Sequence, residues 1–518
     1  MADMLQSDRR SAIPLLTAGQ AYPAFESLML NAQTRVAMSF RVFEPLTTLR
    51  SPEGLRIGKD WVDLIAHTLA RGVAIDLVIS DFDVIVRADY HARATRCLRQ
   101  VIAAGEMSGR PDLLRVSTSL HPAKIGLLPS VALWPRARGN LKRIVAELNA
   151  KTPAARAREW ALMPQLHDLL DRDDDDEGRV ARRSWKMPRL TQVTHHQKLA
   201  VADGKRLYIG GLDLNERRYD TTRHERPASE TWHDLQLLIE GPIAAAAEAH
   251  LRSFRDVTEG ASPPKTPGLL RTLSRARRDT MLRMSPHSVL REIVKEHRVQ
   301  VRKAQRLIYL ETQFMRDKGF ARDLARRALA EPDLGLILIL PAAPDDIAFQ
   351  GNQGPDARYG EYLQAKCIDI LQRAFGDRVF IGSPGQKRAA ESEGRATIYG
   401  APLVYLHAKV SIFDTRAAIV SSANLNGRSL HWDTEAGVLL DYPDQVADLR
   451  DQCFAHWLTG PVSDDLSNPA TAVAAWRDRA RANIALPPSD RRGFILPYAS
   501  GPARRFGRSL PGIPEEMV

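Results

Sequence analysis

Apolar positions along the chain switch between two periods in a fixed order, and the order occurs twice. Residues 36–43, from Val36 to Phe43, form a short apolar-rich segment and predict a strand. Residues 61–70 then carry apolar side chains at helical spacing and run through Gly72 into the nearly continuous apolar stretch 73–81. The second half repeats this with a strand over 307–314, a helix over 320–330 and an apolar run over 334–340 closed by Pro341. Strands that lose their alternation are covered on both faces, so helix followed by a continuous apolar strand predicts α/β layering. Occurring twice, it predicts two homologous α/β/α sandwich lobes.

Punctuation along the chain sets the expected boundaries. Residues 258–268 contain Pro263, Pro264, Pro267, Gly260 and Gly268 and predict a linker. The expected organisation is a first lobe over 1–257, a second over 269–484, and a Pro/Gly/Arg-rich tail over 485–518 that wraps the surface or is partly disordered. Ser285-Pro286 reads as the N-cap and first turn of a helix carrying Val289, Leu290, Ile293, Val294 and Val301 on one face. From first strand to the motif described below, the first half is about 60 residues longer than the second. This places an insertion around 105–190, with helices expected over 141–148 and 156–170. The acidic run 171–177 and the basic residues Arg179, Arg182, Arg183, Lys186 and Arg189 read as a solvated loop.

Composition narrows the class. The chain has 518 residues, 44 % apolar and 26 % charged, which is globular and sufficient for a large core. Cys97, Cys367 and Cys453 are too few and too widely spaced for a disulfide framework or a metal knuckle, which favours a reducing compartment. Arg9-Arg10 is followed by Pro14 and polar residues rather than an apolar stretch, so no secretory or twin-arginine signal is expected. Nor is a membrane span expected, since the run ending at Leu340 is far short of about 20 residues. The expected localisation is cytoplasmic, with peripheral contact to a membrane. A net charge of +11 leaves nucleic acid, an anionic membrane and phosphorylated molecules as partners.

One repeated element carries chemistry. His196-x-Lys198-x4-Asp203 recurs as His407-x-Lys409-x4-Asp414, one copy in each half, and the spacing agrees to the residue. Six residues after each Asp come Gly210-Gly211-Leu212-Asp213 and Ser421-Ser422-Ala423-Asn424. His-x-Lys on a strand puts imidazole and ammonium on one face, and the small residues further on let a neighbouring turn approach, with Asp213 or Asn424 offering a polar contact. Two histidines and two lysines converging on one cleft suit a phosphodiester. Lysines and an Asn donor stabilise the charge on its non-bridging oxygens, one imidazole attacks phosphorus, and the other handles the leaving-group proton. A metal centre is not expected, because lysine is no zinc ligand and no His-rich or Cys-rich cluster completes a set.

These motifs resemble the HKD signature of the phospholipase D superfamily, over roughly residues 30–480. Residues 308–314, with Glu311 and Gln313, are similar to the family strand ahead of the second signature. Gly211, Asp213, Arg218-Tyr219-Asp220 and Trp232-His233-Asp234 resemble the eukaryotic-type branch, and Asn424, Arg428 and Glu435 also fit the family. The resemblance implies a single active site between the lobes, with no metal and no cofactor. It implies His196 as nucleophile, His407 as general acid/base, and Lys198 and Lys409 on the phosphate. Asn424 and Asp213 would line the pocket, Asp234 and Glu435 would orient the imidazoles, and Asp203 and Asp414 would brace the motifs. Ser421-Ser422 in place of the usual Gly-Ser is expected to change little, with Ser422 among the residues that bind or orient the phosphate, whereas Asp213 in place of Asn requires a compensating charge.

The function expected is hydrolysis of the distal phosphodiester of a glycerophospholipid to phosphatidic acid through a phospho-histidine, with transphosphatidylation to alcohols. The alternatives are a cardiolipin-synthase-like phosphatidyltransferase, a phospholipase D-fold nuclease, and a catalytically silent scaffold. Aromatics at 6 % and the lack of interleaved basic and aromatic residues beside the motifs argue against nucleic acid. The expected partners are a phospholipid substrate and an anionic membrane surface, with the protein a monomer.

Overall fold

A computed structural model describes residues 11–518 apart from 174, 184–188, 280 and 460. Arg9-Arg10 and Lys186 therefore lie outside the described residues. The first half supplies strands β1 (Ser11–Leu16), β2 (Arg35–Phe40), β3 (Ala74–Ser80), β4 (Leu114–Ser119), β5 (Leu170–Asp173), β6 (Arg179–Arg182), β7 (Leu199–Ala202), β8 (Arg206–Gly210) and β9 (Leu235–Glu240). The second supplies β10 (Leu269–Arg275), β11 (His287–Arg291), β12 (Leu307–Glu311), β13 (Gly335–Ile339), β14 (Val379–Pro384), β15 (Thr397–Ile398), β16 (Ala401–Pro402), β17 (Val410–Phe413), β18 (Ala417–Ser421), β19 (Glu435–Leu440) and β20 (Ile495–Pro497).

The fold is a duplicated mixed α/β architecture. One sheet has the order β1-β9-β8-β7-β2-β3-β4, and the other has β11-β10-β19-β18-β17-β12-β13-β14-β20. Without the edge strands β11 and β20, the second order matches the first position by position. The directions match too: β2-β3-β4 and β12-β13-β14 are parallel, and the remaining shared pairings are antiparallel. Register repeats as well, since Val36 pairs with Ile75 and Ala202, and Ile308 with Leu336 and Phe413.

Alternation along these strands divides the side chains between two layers. Val36, Met38, Ile75 and Leu77 pack with Tyr22, Phe25, Trp61 and Val101 from the outer helices of the first lobe. Ile308, Leu310, Leu336 and Leu338 do the same with Ile293, Phe320, Leu324 and Ile368 of the second. The opposite faces, with Leu199, Val201 and Leu237 on one side and Tyr309, Ile412 and Val438 on the other, belong to one continuous apolar core that joins the lobes. Burial of that shared core fixes their relative placement, and hence the geometry of anything built across the seam.

Several local expectations are corrected. The helix expected over 156–170 ends at Ala161, because Pro164 cannot continue it; a 3-10 turn and then β5 follow. The acidic run is no open loop. β5 and β6 pair as a hairpin, and Arg183–Asp171 at 2.6 Å and Arg179–Asp176 at 3.6 Å neutralise part of it internally. The hairpin, helix Leu127–Asn149 and helix Pro153–Ala161 share a small core of Leu141, Ile144, Leu148, Leu166, Leu170 and Val180. The helix expected from Ser285-Pro286 begins only at Glu292, since residues 287–291 pair with β10, and strand pairing outweighs the local helix signal. The expected tail contributes β20, whose Ile495 and Leu496 are buried against β14.

Candidate active site

Both His-x-Lys pairs lie on extended segments that lead into matching strands, His196 and Lys198 into β7, His407 and Lys409 into β17. Each segment is also hydrogen-bonded to the other lobe. The His196 amide donates to the Thr434 carbonyl at 2.8 Å, and the Thr434 amide to Thr194 at 3.0 Å. In the reciprocal arrangement the His407 amide donates to His233 at 2.7 Å, and the His233 amide to Tyr405 at 2.8 Å. The segment that opens β9 or β19 thus lies beside the catalytic segment of the opposite half.

This crossing delivers one carboxylate to each imidazole. Glu435, the first residue of β19, lies 2.9 Å from His196 Nδ1. Asp234, immediately before β9, lies 2.6 Å from His407 Nδ1. Both contacts fix the rings through Nδ1 and leave Nε2 as the nitrogen available for chemistry. Lys198 and Lys409 are buried, and each ammonium donates to the backbone carbonyl of the histidine two residues before it. Lys409 Nζ also lies 3.0 Å from His407 Nδ1.

Burial dominates the electrostatics. It drives the His196 and His407 imidazoles well below their ordinary range, with the neighbouring lysines adding to the effect. Burial also lowers Lys198 to about 8, against the pull of Asp213, and Lys409 to about 7, against the pull of Asp234. The Glu435 carboxyl is pushed up to about 8 by burial, and Asp234 is raised for the same reason. Removal from water thus opposes every charge in the cluster, and an entering phosphodiester anion would restore the lysines to their cationic forms.

The small residues differ between halves in an instructive way. A Cβ on Gly211 would stand 2.2 Å from Asp234 Oδ1, so the absent side chain is the space the carboxylate occupies. At the matching place Ser422 donates its hydroxyl to Glu435 and accepts the Ala436 amide at 3.1 Å. Ser422 thus helps hold the carboxylate that meets His196 Nδ1. Asp213 has both oxygens engaged, one by the Val42 amide at 2.8 Å and the other by Arg218, with Lys198 at 3.9 Å. Arg218 is thus the compensating charge that Asp213 required. Asn424 is buried with its Oδ1 unpartnered, so it remains the free polar group of the pair.

Four expected residues lie away from the imidazoles. Asp203 accepts the amides of Gln33, Thr34 and Arg35 at 2.8–3.0 Å, and Asp414 accepts those of Gln305, Arg306 and Leu307 at 2.8–3.1 Å. Both adopt left-handed backbone, with φ of 55° and 56°, which Asp tolerates. Each ties the turn after its catalytic strand to the start of β2 or β12. Glu311 and Gln313, expected to bind or orient phosphate, have protein partners away from the two imidazoles. Glu311 lies on the shared-core face of β12 and accepts from Tyr309 at 2.6 Å and Trp457 at 2.9 Å. Gln313 donates to Tyr405 at 2.7 Å.

Two further residues complete the cluster, and of these Arg41 was not singled out from the motifs. Arg41, with Lys198, depresses the His196 imidazole and helps hold Asp213 ionised. Its signal in the sequence is a cation directly after a buried strand, where open α/β sheets place their sites. Trp232 packs on His407, ring centroids 4.7 Å apart. A cavity of about 890 Å³ lined by Arg35, Asp76, Arg115 and Arg255 shares no residue with this cluster. Among the described residues His224, His233 and His456 also converge, with ligand atoms within 4.8 Å of one another, although they are distant in sequence.

The chain is similar over part of its length to known proteins. Residues 298–457 match the family model described as "Cardiolipin synthase, PLD-like domain". The chain is 22 % identical to phospholipase D alpha 1 of Oryza sativa subsp. japonica, over 51 % of this chain and 46 % of that one. Phospholipase D alpha 1 of Arabidopsis thaliana is 21 % identical over the same shares. The chain spans about half the length of the curated relatives it matches. Among solved structures, phosphatidylserine synthase of Haemophilus influenzae Rd KW20 is 13 % identical with a TM-score of 0.47, over 93 % of this chain and 96 % of that one. Two matching lobes, a His-x-Lys motif in each, the PLD-like match over residues 298–457 and the phospholipase D relatives support membership of the phospholipase D superfamily.

Proposed function

We propose that this protein is a phospholipase D-type enzyme that cleaves the distal phosphodiester of glycerophospholipids to phosphatidic acid. The observation that carries the reading is the pair of buried imidazoles, each held through Nδ1 by a carboxylate from the opposite lobe. In the first half-reaction His196 Nε2 attacks phosphorus, forming a P–N bond as the P–O bond to the headgroup breaks. His407 delivers the proton to the departing alkoxide. In the second, His407 takes a proton from water, the water oxygen bonds to phosphorus, and the P–N bond breaks. Each turnover restores both rings, and replacing water by an alcohol yields a phosphatidyl-alcohol. Lys198, Lys409 and Asn424 stabilise the non-bridging oxygens, while Asp203 and Asp414 brace the strands.

Contact with a lipid surface has its own support. The backbone amide of Leu128 donates to Met281 at 3.0 Å, and that of Gly126 to Arg283 at 2.8 Å, which brings two chain segments together. They expose Leu127, Leu128, Val131, Met281 and Leu282, with Leu282 at 68 % exposure. Gln192, four residues before His196, bonds the Met284 carbonyl. An apolar patch with arginines beside it, tied to a catalytic segment, suits an anionic membrane. No helix among the described residues is long and apolar enough to cross a membrane.

A second reading, phosphatidyl transfer between lipids, is favoured by the match of residues 298–457 to the cardiolipin synthase domain. The discriminating experiment incubates the protein with phosphatidylcholine vesicles, phosphatidylglycerol vesicles and single-stranded DNA, with and without ethanol. Phosphatidic acid, replaced by phosphatidylethanol when ethanol is added, supports hydrolysis. Cardiolipin from phosphatidylglycerol with little phosphatidic acid favours transfer, and DNA cleavage without lipid turnover overturns both.

A further inference from the structure

Three histidines that the proposed chemistry does not use meet at the seam between the lobes. His224 lies in the loop between β8 and β9, His233 just before β9, and His456 in helix Pro443–Leu458 of the second lobe. All three are buried. His224 Nε2 and His456 Nε2 are 3.1 Å apart, and Glu311 Oε2, at the end of β12, is 3.4 Å from His233 Nε2. Ligand bonds of about 2.0–2.2 Å arranged tetrahedrally place donor atoms about 3.3–3.6 Å from one another, and the ligand atoms of the three histidines, all within 4.8 Å of one another, can close onto one ion.

The hydrogen bonding leaves this cluster incomplete. His233 Nδ1 has no hydrogen-bond partner, while its Nε2 meets Glu311 Oε2 as an ion pair at 3.4 Å. Buried polar atoms without partners are costly and uncommon. An imidazole–imidazole hydrogen bond between His224 and His456 accounts for their approach but not for that of His233. His224 Nδ1 meets Asp220 Oδ2 at 2.7 Å, and that oxygen also accepts the Trp232 amide at 2.8 Å. The carboxylate fixes the tautomer with its lone pair on Nε2, facing the cluster, as the partners of metal-bound histidines do. Trp457, 4.2 Å from the His233 ring, and Phe494, 5.7 Å from that of His456, wall the site. A cavity of about 330 Å³ lined by Thr222, His224, Gln386 and Thr459 provides an entry path.

We infer that His224, His233 and His456 form a structural site for one divalent transition ion of the zinc class that ties the two lobes together behind His407. Three imidazoles select Zn²⁺ or Co²⁺ over Mg²⁺ and Ca²⁺. Two of the ligands come from the first lobe and one from the second. The His233 carbonyl accepts the His407 amide, and the next residue, Asp234, holds the His407 ring, so an ion here steadies the acid/base partner without entering the reaction.

The test strips the full-length protein with a chelator and titrates it with Zn²⁺ and, in parallel, with Co²⁺. One equivalent of metal per chain, visible Co²⁺ absorption of four-coordinate intensity, and a rise in Tm of at least about 3 °C are expected. His224→Gln and His456→Gln should each weaken Co²⁺ binding at least tenfold and remove most of the Tm gain. If either variant fails to fold, Asp220→Asn keeps all three histidines and still decides: binding about tenfold weaker supports the site, and unchanged affinity overturns it. Less than a tenth of an equivalent bound with no Tm change overturns it too. So does stoichiometric binding that survives both histidine substitutions with unchanged affinity.

Discussion

Glu435 and His196 meet across the seam between the lobes, the carboxylate oxygen 2.9 Å from Nδ1, although 239 residues separate them in the chain. Asp234 and His407 make the same contact in the opposite direction at 2.6 Å. Neither lobe therefore holds a complete imidazole–carboxylate pair. Each supplies the imidazole of one pair and the carboxylate of the other, which is how two copies of a fold make one site.

Glu435→Gln and Asp234→Asn should each lower kcat by about 10²–10⁴ with a small change in KM, since the amide no longer fixes the reactive tautomer. Rapid quenching separates the two roles. His407→Ala should accumulate phosphoprotein on His196, and His196→Ala should form none; full activity in either histidine variant would sink the two-histidine scheme.

The lysines set a pH dependence for anion binding. Burial lowers Lys409 to about 7 and Lys198 to about 8, so both lose charge as pH rises through these values. Sulfate keeps a constant charge over this range and is a suitable competitive probe. Its inhibition constant should rise by at least about tenfold between pH 6 and pH 9, and Lys198→Arg, whose charge does not titrate, should flatten the lower-affinity limb. An inhibition constant independent of pH would remove these lysines from the anion site.

The duplicated fold and the His-x-Lys pairs were legible because both are local patterns: apolar periods for the strands and a short spacing for the motif. The choice of orienting carboxylates was also legible, through the residues around Trp232 and Glu435. What the sequence did not carry was the crossing itself, which depends on the shared core that joins the lobes. The same reason hid the His224, His233 and His456 cluster, whose members look unrelated until helix Pro443–Leu458 packs against the seam. The partners of Glu311 were not legible because family position says nothing about which face of β12 a side chain takes, and alternation puts it with Tyr309 on the shared-core face.

Asp203 offers a test of bracing as against chemistry. Although partial burial pushes its carboxyl up, the amides of Arg35, Thr34 and Gln33 pull it down to about 2, from an ordinary 3.8. The folded form holds its proton less tightly than the unfolded chain, so the stabilisation is complete above about pH 4 and disappears as pH falls toward 2. Asp203→Ala should cost about 1 kcal/mol at pH 7 and leave kcat within about twofold, with the difference from wild type shrinking in acid. Denaturant unfolding at pH 7 and pH 3 measures it, and a large loss of kcat with unchanged stability would make Asp203 a reacting group.

The exposed apolar patch separates lipid docking from catalysis. Leu128 and Leu282 sit on segments joined by the Leu128–Met281 backbone bond and connected through Gln192 to the strand entry that carries His196. Inserting two leucines below the headgroups is worth a few kcal/mol at most, and placing carboxylates there reverses both the apolar gain and the attraction to anionic lipid. Leu128→Glu combined with Leu282→Glu should therefore lower turnover of anionic vesicles by at least about tenfold and leave hydrolysis of a monomeric short-chain phospholipid unchanged. Raising salt should weaken the wild type on vesicles and affect the double variant less, because the arginines beside the patch act through a screened field. Equal losses on vesicles and on the soluble substrate would mean that these leucines support the fold and not the encounter with lipid.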